Sequence, residues 1–446
     1  MASSNNEISN VVFHSVTGRV DDSFVGIKAD GNLIHIYHPE CYPITNGTLE
    51  TRNEIIALLK TISIAKTASS EHSKAYNSQN DGGDFALFSY VWMIKDYLAN
   101  GFYINREKQY KINQNGKINW KRTIQTEALV SDNSIVFPNI IVEKKSEVDN
   151  ILVEAHKLCV KKSIDYIGWL FDINSDFIVV PRITDSRKRL YINAVQKELD
   201  NTFLDGKRIF LSHMKNVLLG LDERSNNREF VYGVDSYFYI YERMIDSIFG
   251  NVDHISDFYP SSKWLLLRNR FDEHEGSKLR PDTIFLQKTN TNQYNAFILD
   301  SKYYRFGFTG DENDLPETTS IQKQITYGEY IGEYYKKDTK YPILNTYNAF
   351  LMPYDKTRAN DFQSNDDIQY IGFAKSTWKD NTKSNELIHA FLIDLKHIIL
   401  FWNSFNHMSD VAILVNLIVE KQNEAEALLR LQNVDKNLEK AVEHTE

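Results

Sequence analysis

Two carboxylates and a lysine in the second half of the chain are spaced to act together. Asp282 opens one apolar run, and Asp300 closes a second apolar run two residues before Lys302. Two apolar runs that flank a short polar turn predict a β-hairpin. With its turn centred on Thr291, this hairpin puts Asp282 opposite Asp300, and opposed residues have Cβ atoms about 4.5–5.5 Å apart.

The predicted pair of carboxylates needs a cation, because two like charges at this separation destabilise a strand pair. A hard divalent cation such as Mg²⁺ prefers oxygen ligands of this kind. Lys302 projects from the same strand face as Asp300, since side chains alternate along a strand. Its ammonium group can orient an attacking water or stabilise the negative charge that develops on a phosphoryl group. Together the three residues predict metal-dependent hydrolysis of a phosphodiester.

A third carboxylate, Glu242, lies within a stretch that has helical spacing. Apolar residues recur every three or four positions between Val234 and Phe249, which is typical of an amphipathic helix. Glu242 falls along the apolar stripe of that helix, where an unpaired carboxylate is costly. It therefore either joins Asp282 and Asp300 around the cation or pairs with a buried arginine.

An acidic helix residue, a Pro-Asp pair and a following Asp-x-Lys strand resemble the pattern of the PD-(D/E)XK nucleases. Further Asp-x-Lys triplets occur, among them those at 338–340 and 394–396. Only Asp300 ends an apolar strand whose predicted partner carries an acid at the mirrored position. Asp338 is predicted in a turn and Asp394 in a helix, so both are interpreted as solvated surface charges.

A helix is predicted over 321–335, capped by the hydroxyl residues at 318–320. Gln324 and Tyr327 lie three positions apart on this helix and share a face. Many PD-(D/E)XK families carry a Gln and a Tyr on the helix after the Asp-x-Lys strand, usually as Gln-x-x-x-Tyr. The resemblance implies that Gln324 and Tyr327 belong to the catalytic site, although their spacing here is one residue shorter. Ordinary packing of a tyrosine-rich helix is the other interpretation.

The whole chain resembles the LlaJI-type restriction endonucleases and, more distantly, the McrC-like nuclease subunits. The segments that carry the resemblance are 88–98, 100–101, 116–124, 241–242, 281–282 and 300–303. The resemblance implies a DNA endonuclease of a restriction system with Mg²⁺ as cofactor. It also implies three metal ligands, Glu242, Asp282 and Asp300. Lys302 is then the catalytic lysine.

A basic segment interleaved with aromatic residues is the second candidate site. The residues predicted to contact double-stranded DNA are Arg106, Lys108, Lys111, Lys117, Trp120, Lys121 and Arg122. Lysine and arginine contact phosphates, and aromatic rings stack on bases or pack in a groove. The alternative interpretation is an exposed hairpin, turning at Asn115-Gly116, whose lysines are simply solvated.

Composition limits the remaining possibilities. The 446 residues carry a formal net charge of −9, which taken alone disfavours a nucleic-acid partner. Two cysteines are too few for a disulfide framework or a four-cysteine zinc site. No signal peptide is evident, and no apolar run approaches the ~20 residues that span a bilayer. A cytoplasmic protein without membrane contact is therefore expected. The negative net charge averages over the basic segment and the acidic remainder of the chain.

The order of elements predicts an α/β protein with a boundary near residue 200. Residues 1–200 are expected to form a mixed α+β domain for DNA specificity or partner docking. Residues 201–400 are expected to form a PD-(D/E)XK nuclease core, in which helices flank a mixed β-sheet. Residues 401–446 are expected to form a helical extension.

The expected activity is that of a type II-like endonuclease that hydrolyses both strands of DNA. Each site cuts one strand, so a homodimer or larger assembly is expected. A nuclease subunit activated by a separate McrB-like GTPase is the first alternative, since this chain has no P-loop motif of its own. A non-enzymatic DNA-binding adaptor with a decayed nuclease fold is the second, although the intact set of Asp282, Asp300 and Lys302 argues against it.

Overall fold

The computed structural model describes most of the chain as regular secondary structure. The described residues are 11–19, 22–30, 33–45, 48–67, 86–104, 106–131, 134–147, 150–221, 230–267, 271–358, 366–379, 383–404 and 407–443. Within them, the chain is a mixed α/β protein with several sheets and eleven α-helices. The predicted α/β class is confirmed at this level.

The bounds of the elements are as follows. The strands are β1 (Val11–Val16), β2 (Val25–Asp30), β3 (Leu33–Pro39), β4 (Arg106–Ile112), β5 (Lys117–Ile118), β6 (Leu129–Ser131), β7 (Ser134–Val136), β8 (Ile141–Glu147), β9 (Phe230–Val234), β10 (Lys263–Leu267), β11 (Phe271–Glu275), β12 (Thr283–Lys288), β13 (Tyr294–Ser301), β14 (Ile343–Tyr354), β15 (Ile368–Lys375) and β16 (Leu387–Asp394). The helices are α1 (Thr48–Thr67), α2 (Leu87–Asn100), α3 (Trp120–Thr123), α4 (Ile151–Ile167), α5 (Asp185–Asn201), α6 (Asp205–Gly220), α7 (Tyr237–Phe249), α8 (Phe306–Thr309), α9 (Thr318–Tyr334), α10 (Leu395–Phe401) and α11 (Met408–Glu443).

Local sequence explains where several helices begin and end. The Asn150 side chain accepts hydrogen bonds from the first backbone N–H groups of α4, and Thr184 does the same for α5, as is usual for polar N-cap residues. Helix α2 ends at Gly101, whose φ of +74° suits a residue without a Cβ atom. The helix predicted over 321–335 is α9, which begins three residues earlier than its predicted start.

A five-stranded sheet carries the predicted chemistry. Its strand order is β12-β13-β14-β16-β15. Strands β13, β14 and β16 are parallel, whereas β12 is antiparallel to β13 and β15 is antiparallel to β16. The central strands read as nearly continuous apolar runs because both of their faces are covered. Helices α7 and α9 both pack on this sheet, so the predicted arrangement of a mixed sheet with flanking helices is observed.

The core under α9 joins the two strands of the predicted hairpin. Ile284 of β12 and Ile298 of β13 share one buried cluster with Tyr327 and Ile331 of α9. Burying such side chains is worth roughly 1.5–3 kcal/mol each, which holds the helix on the strands. Phe258, from the segment before β10, closes the same cluster.

Four smaller sheets complete the described structure. Their orders are β1-β3-β2-β9, β4-β8-β5, β6-β7 and β10-β11. The hairpin predicted at Asn115-Gly116 is wrong, because β4 and β5 do not pair with each other. Both pair with β8, one on each side of it. A turn dipeptide such as Asn-Gly predicts that the chain reverses its direction locally. It does not show whether another strand lies between the two strands that flank the turn.

Contacts divide the described chain into two compact units. The division between these units does not fall at the predicted boundary of residue 200. One unit takes its residues from 1–27, 34–80 and 233–446, and the other from 28–33 and 81–232. The first contains the five-stranded sheet, and the second contains the basic segment with helices α2 to α6. The first unit is discontinuous in sequence, which a boundary search along the chain does not detect.

The two cysteines are both free thiols, and both are buried. No helix in the described part of the chain has the length and apolar character needed to cross a membrane.

Candidate active site

The hairpin of β12 and β13 has the predicted register. Its ladder pairs Thr283 with Leu299 and Ile284 with Ile298. The turn is closed by a hydrogen bond from the Thr289 N–H to the Gln293 carbonyl at 2.8 Å. One step beyond the end of this ladder, the same register opposes Asp282 to Asp300. The sequence-based prediction of the turn centre is thus confirmed.

Three predicted residues come together where β12 begins and β13 ends. The Asp300 carboxylate is buried, and its Oδ2 lies 2.8 Å from the Lys302 Nζ. The Asp282 carboxyl group lies within hydrogen-bonding distance of the Asp300 carboxyl group. Asp282 Oδ2 also accepts a hydrogen bond from the Ser301 N–H at 2.9 Å. This backbone donor was missed in the sequence, because residue type gives no signal for a main-chain contact.

Burial and mutual repulsion control the protonation of this cluster. Burial raises the pKa of Asp282 far above its ordinary value, and the neighbouring Asp300 and Glu242 raise it further. Burial alone would lower the pKa of Lys302, but the charge and hydrogen bond of Asp300 outweigh it, so this pKa is raised. Without a metal, the site therefore keeps a proton on Asp282 and a charged ammonium on Lys302.

Glu242 projects from α7 towards the same cluster. Burial raises its pKa to about 7, the charge of Asp300 adds to the rise, and the charge of Lys302 opposes it. The charges that act on Glu242 are therefore those of the site residues. This favours the first of the two interpretations of Glu242, membership of the cluster.

The donor set suits a hard divalent cation. Asp282 and Asp300 offer carboxylate oxygens, and Mg²⁺ is commonly bound by one or two carboxylates while it keeps several waters. In the described part of the chain, no group of three or more His, Cys, Asp or Glu residues is assembled to hold a metal. The structure thus brings together two of the three predicted ligands, with Glu242 near enough to interact electrostatically.

Gln324 and Tyr327 connect α9 to the backbone of both acid-bearing segments. The Gln324 Nε2 donates to the Ile298 carbonyl at 2.7 Å, two residues before Asp300. The Tyr327 hydroxyl donates to the Arg280 carbonyl at 3.2 Å, two residues before Asp282.

The surroundings of these two side chains differ. Gln324 is fully buried. Burial raises the pKa of Tyr327 to about 12, and the charges of Asp300 and Asp282 add to the rise. Both side chains nevertheless make the same kind of contact, a hydrogen bond to the backbone of a segment that carries an acid. The geometry supports a positioning role more directly than a chemical one.

A further aromatic residue near the site was not predicted. Burial raises the pKa of Tyr259, Arg280 opposes the rise, and Asp246 and Asp282 add to it. Tyr259 lies in a segment without regular periodicity, so no sequence pattern singled it out.

The Asp-x-Lys triplets at 338–340 and 394–396 do not form sites comparable to that of Asp300 and Lys302. Asp338 lies in a turn, as predicted, where it accepts hydrogen bonds from backbone N–H groups. The prediction for Asp394 is wrong, because Asp394 is buried at the end of β16. Its carboxylate caps α10 through the His397 N–H, whereas Lys396 pairs with Glu54. The lysine of this triplet therefore neutralises a different acid.

The predicted DNA-contact residues lie on one small substructure. Arg106, Lys108 and Lys111 belong to β4, and Lys117 belongs to β5; the side chains of Arg106 and Lys108 fall outside the described residues. Helix α3 carries the remaining three, Trp120, Lys121 and Arg122.

The exposure of this substructure suits contact with a ligand. Lys117, Trp120, Lys121 and Arg122 are exposed, and Lys111 is half-buried. The Arg122 guanidinium carbon lies 3.7 Å from the centre of the Tyr110 ring, a cation–π contact that holds the arginine in place.

Comparison with known proteins agrees with the family resemblance. The family model for the LlaJI restriction endonuclease matches residues 24–403. The Bacillus subtilis (strain 168) protein YdjA, a type II restriction enzyme BsuMI component, is 22% identical over 363 residues. That alignment covers 77% of this chain and 74% of YdjA.

Two solved structures also align with the chain. A half-complex from the tetradecameric assembly of Thermococcus gammatolerans McrB AAA+ hexamers with bound McrC contains a chain that is 13% identical, with a TM-score of 0.36, covering 83% of this chain and 77% of that one. The cryo-EM structure of the Thermococcus gammatolerans McrBC complex contains a chain that is 14% identical, with a TM-score of 0.25, covering 50% of this chain and 64% of that one. The family model, by contrast, spans most of the sequence. The chain belongs to the LlaJI restriction endonuclease family.

Proposed function

We propose that this chain is a metal-dependent endonuclease of a restriction system, which hydrolyses phosphodiester bonds of double-stranded DNA. Its metal ligands are Asp282 and Asp300, with Glu242 near enough to contribute, and the cofactor is Mg²⁺. The observation that carries the proposal is the close contact of Asp282, Asp300 and Lys302 at one end of the β12–β13 hairpin. The core is then of the PD-(D/E)XK type.

The acid pair supports a cation for an electrostatic reason. Two carboxyl groups within hydrogen-bonding distance cannot both ionise without a compensating charge. In the metal-free protein this charge is supplied by a proton on Asp282 and by the Lys302 ammonium. Asp282 and Asp300 would hold a divalent ion in place of that proton, and the ion would polarise the phosphate and make a water molecule more acidic.

Lys302 is assigned to the phosphate or the attacking water. Its ammonium lies 2.8 Å from Asp300, and its side chain is about one-fifth exposed. A cation at such a partly open position can donate to an incoming oxygen and stabilise the negative charge of the transition state. Asp300 holds the ammonium in this position, and its carboxylate would also serve as a ligand of the ion.

The test is a plasmid-cleavage assay with Mg²⁺ that compares the unaltered chain with Asp300→Asn and Lys302→Met. Asp300→Asn should abolish cleavage, because it removes a ligand. Lys302→Met should slow cleavage by about 10²–10³-fold, which is the usual loss when one transition-state donor is removed. Chelation of the metal should stop the reaction.

The chain supplies its own matched controls. Asp338→Asn and Lys340→Met alter the Asp-x-Lys triplet at 338–340, which lies in a turn, and both should cleave as fast as the unaltered chain. Circular dichroism verifies that each variant is folded. Equal cleavage by all variants, at either triplet, would contradict the assigned site.

A nuclease that needs a second protein is the other candidate. It is favoured by the relative YdjA, which is a component of a type II restriction enzyme. In that case the purified chain does not cleave alone, and cleavage begins when the partner, such as an McrB-like GTPase with GTP, is added. The same Asp300→Asn variant separates this candidate from a decayed nuclease fold, since it must remain inactive when the partner is present.

A further inference from the structure

An exposed arginine lies beside the candidate active site. Arg280 is two residues before Asp282, and its side chain is exposed. Among the described residues its guanidinium forms no ion pair, whereas Arg305, three residues after Lys302, pairs with Asp314 at 3.8 Å. A cation that the folded chain leaves unpaired beside a cluster of acids is available to an incoming anion.

The backbone of Arg280 is held on both sides, although its side chain is exposed. The preceding residue, Leu279, donates its N–H to the Pro260 carbonyl at 2.9 Å, and the Arg280 carbonyl accepts from the Tyr327 hydroxyl at 3.2 Å. The next residue is Pro281, which restricts Arg280 to an extended backbone. A backbone that is fixed before the ligand arrives lowers the entropy cost of a contact made by its side chain.

Tyr259 is a neighbour of Arg280. Strands β10 and β11 are antiparallel, and the same arrangement continues to the hydrogen bond between Leu279 and Pro260. Tyr259 precedes Pro260 and Arg280 follows Leu279, so the two residues lie side by side. Burial raises the pKa of Tyr259, and the charge of Arg280 opposes the rise. The Tyr259 hydroxyl is therefore protonated near neutral pH and can donate a hydrogen bond.

The charge balance of the site favours a cation at this position once a phosphate enters. Glu242, Asp282 and Asp300 carry three negative charges when all are ionised, and Lys302 carries one positive charge. The proposed divalent ion balances the two that remain. A DNA phosphate adds another negative charge. A guanidinium suits this phosphate, because its N–H groups donate to two phosphate oxygens at once.

We propose that Arg280 and Tyr259 bind the DNA phosphate next to the one that is cleaved. This rests on the proposed function, in which Lys302 acts on the cleaved phosphate or on the attacking water. Extended chain rises about 3.3 Å per residue, so Arg280 begins about 7 Å from Asp282, which favours a neighbouring phosphate over the one at the metal. Such a contact binds substrate and transition state alike, so it acts mainly on the affinity for DNA.

DNA binding tests the contact without cleavage. All variants are made in the inactive Asp300→Asn chain, and fluorescence anisotropy with a labelled duplex is recorded over a salt series. Arg280→Met should weaken binding about 10–100-fold, the usual loss for a charge-assisted hydrogen bond. It should also reduce the slope of log affinity against log salt by about 0.9, because one phosphate is no longer neutralised.

Two further variants separate charge from geometry. Arg280→Lys keeps the positive charge and should therefore keep the salt slope, but a point charge without the planar fork should restore only part of the affinity. Tyr259→Phe removes a neutral donor, so it should weaken binding about 2–10-fold and leave the slope unchanged. Arg430→Met is the matched control, because Arg430 is an exposed arginine on α11, and it should bind as tightly as its parent. Thermal melts verify that each variant is folded.

Steady-state cleavage distinguishes substrate binding from a structural role. In the active chain, Arg280→Met should raise the DNA concentration for half-maximal cleavage more than it lowers kcat, and Arg280→Lys should recover part of the loss. Equal affinity and equal salt slope for Arg280→Met and its parent would overturn the proposal. An equal loss of affinity in Arg430→Met would overturn it as well.

Two outcomes separate this proposal from that of the function. If Arg280→Met weakens DNA binding and lowers the salt slope, but the chain cleaves nothing with Mg²⁺, the proposed activity alone is contradicted. If the chain cleaves DNA and Arg280→Met changes neither the affinity nor the salt slope, the phosphate contact alone is contradicted.

Discussion

At the residue scale, the close approach of two carboxyl groups and an ammonium group governs the protonation of the candidate site. Burial and the neighbouring Asp300 raise the pKa of Asp282, and Asp300 Oδ2 lies 2.8 Å from the Lys302 ammonium. If this pair binds a divalent cation, as we propose, Asp282 would have to give up its proton. The proposed metal affinity would then increase with pH, because Asp282 loses its proton more readily at higher pH.

The same linkage makes the metal-free protein less stable as pH rises. The pKa of Glu242 is raised to about 7, above that of a glutamate in the unfolded chain. Between these two values the folded state holds a proton that the unfolded state has lost, so the free energy of unfolding decreases as pH rises. Thermal melts in a chelator should show a midpoint that falls as pH rises to about 7 for Glu242 and continues to fall beyond it for Asp282, whose pKa is raised further. The variant Glu242→Gln should reduce the slope below about pH 7 and leave the fall at higher pH.

The control for this prediction is Glu312→Gln, at an exposed position outside the site, which should leave the pH dependence unchanged. Mg²⁺ should raise the midpoint most at high pH, where its ligands are ionised. A metal-free midpoint that rises with pH across the same range would contradict the assigned environment of Glu242.

At the element scale, α9 joins the two segments that carry the acids. Gln324 and Tyr327 each hold the backbone two residues before one aspartate. Close packing supports this arrangement: a Cβ atom at Gly328, one turn further along α9, would lie 2.6 Å from the Asn385 Cβ. The helix is thus fixed over the sheet by contacts that require a glycine and two polar side chains.

This geometry predicts a particular effect of Gln324→Ala. The change leaves the buried Ile298 carbonyl without its side-chain donor, which should lower the free energy of unfolding by about 1–3 kcal/mol. Because β13 is then less well positioned, the Mg²⁺ concentration for half-maximal cleavage should rise more than the rate at saturating metal falls. Denaturant unfolding and a metal titration of cleavage measure the two effects.

The neighbouring change Thr326→Ala serves as the control, since Thr326 is exposed on the same helix, and it should alter stability by no more than about 0.5 kcal/mol. Tyr327→Phe removes only the bond to the Arg280 carbonyl and should shift the metal titration in the same direction as Gln324→Ala. If Gln324→Ala lowers the rate at saturating metal and leaves the metal titration unchanged, Gln324 has a chemical role rather than a positioning role.

At the scale of the whole molecule, net charge is a poor guide to the partner. The formal charge of −9 averages over an acidic background and the exposed cations of β5 and α3. Lys117, Lys121 and Arg122 are exposed beside Trp120, and these residue types together suit a nucleic-acid backbone and its bases.

The salt dependence of DNA binding tests this surface. If Lys117 and Lys121 each neutralise one phosphate, Lys117→Ala and Lys121→Ala should each reduce the slope of log affinity against log salt by about 0.9. Fluorescence anisotropy with a labelled duplex measures the slope. Lys60→Ala, at an exposed lysine on α1, should leave the slope unchanged, and an equal effect of all three changes would contradict a dedicated surface.

The sequence by itself determined the local parts of the site. A turn centre and the two-residue period of strands are local properties, so they sufficed to oppose Asp282 to Asp300 and to put Lys302 on the same face. Helical periodicity likewise located α7 with Glu242 and α9 with Gln324. The family resemblance also rested on short segments, and the match over residues 24–403 agrees with it.

Only the tertiary structure decided what depends on distant contacts. Asp394 illustrates the reason: β16 ends there and α10 begins at the next residue, and no Gly or Pro separates the two apolar segments to mark the change. Three other features also join residues that are far apart in the chain. They are the pairing of β4 and β5 with β8, the discontinuous unit around the five-stranded sheet, and the hydrogen bonds from α9 to the carbonyls of Ile298 and Arg280. Such contacts are set by the packing of whole elements, which no local pattern encodes.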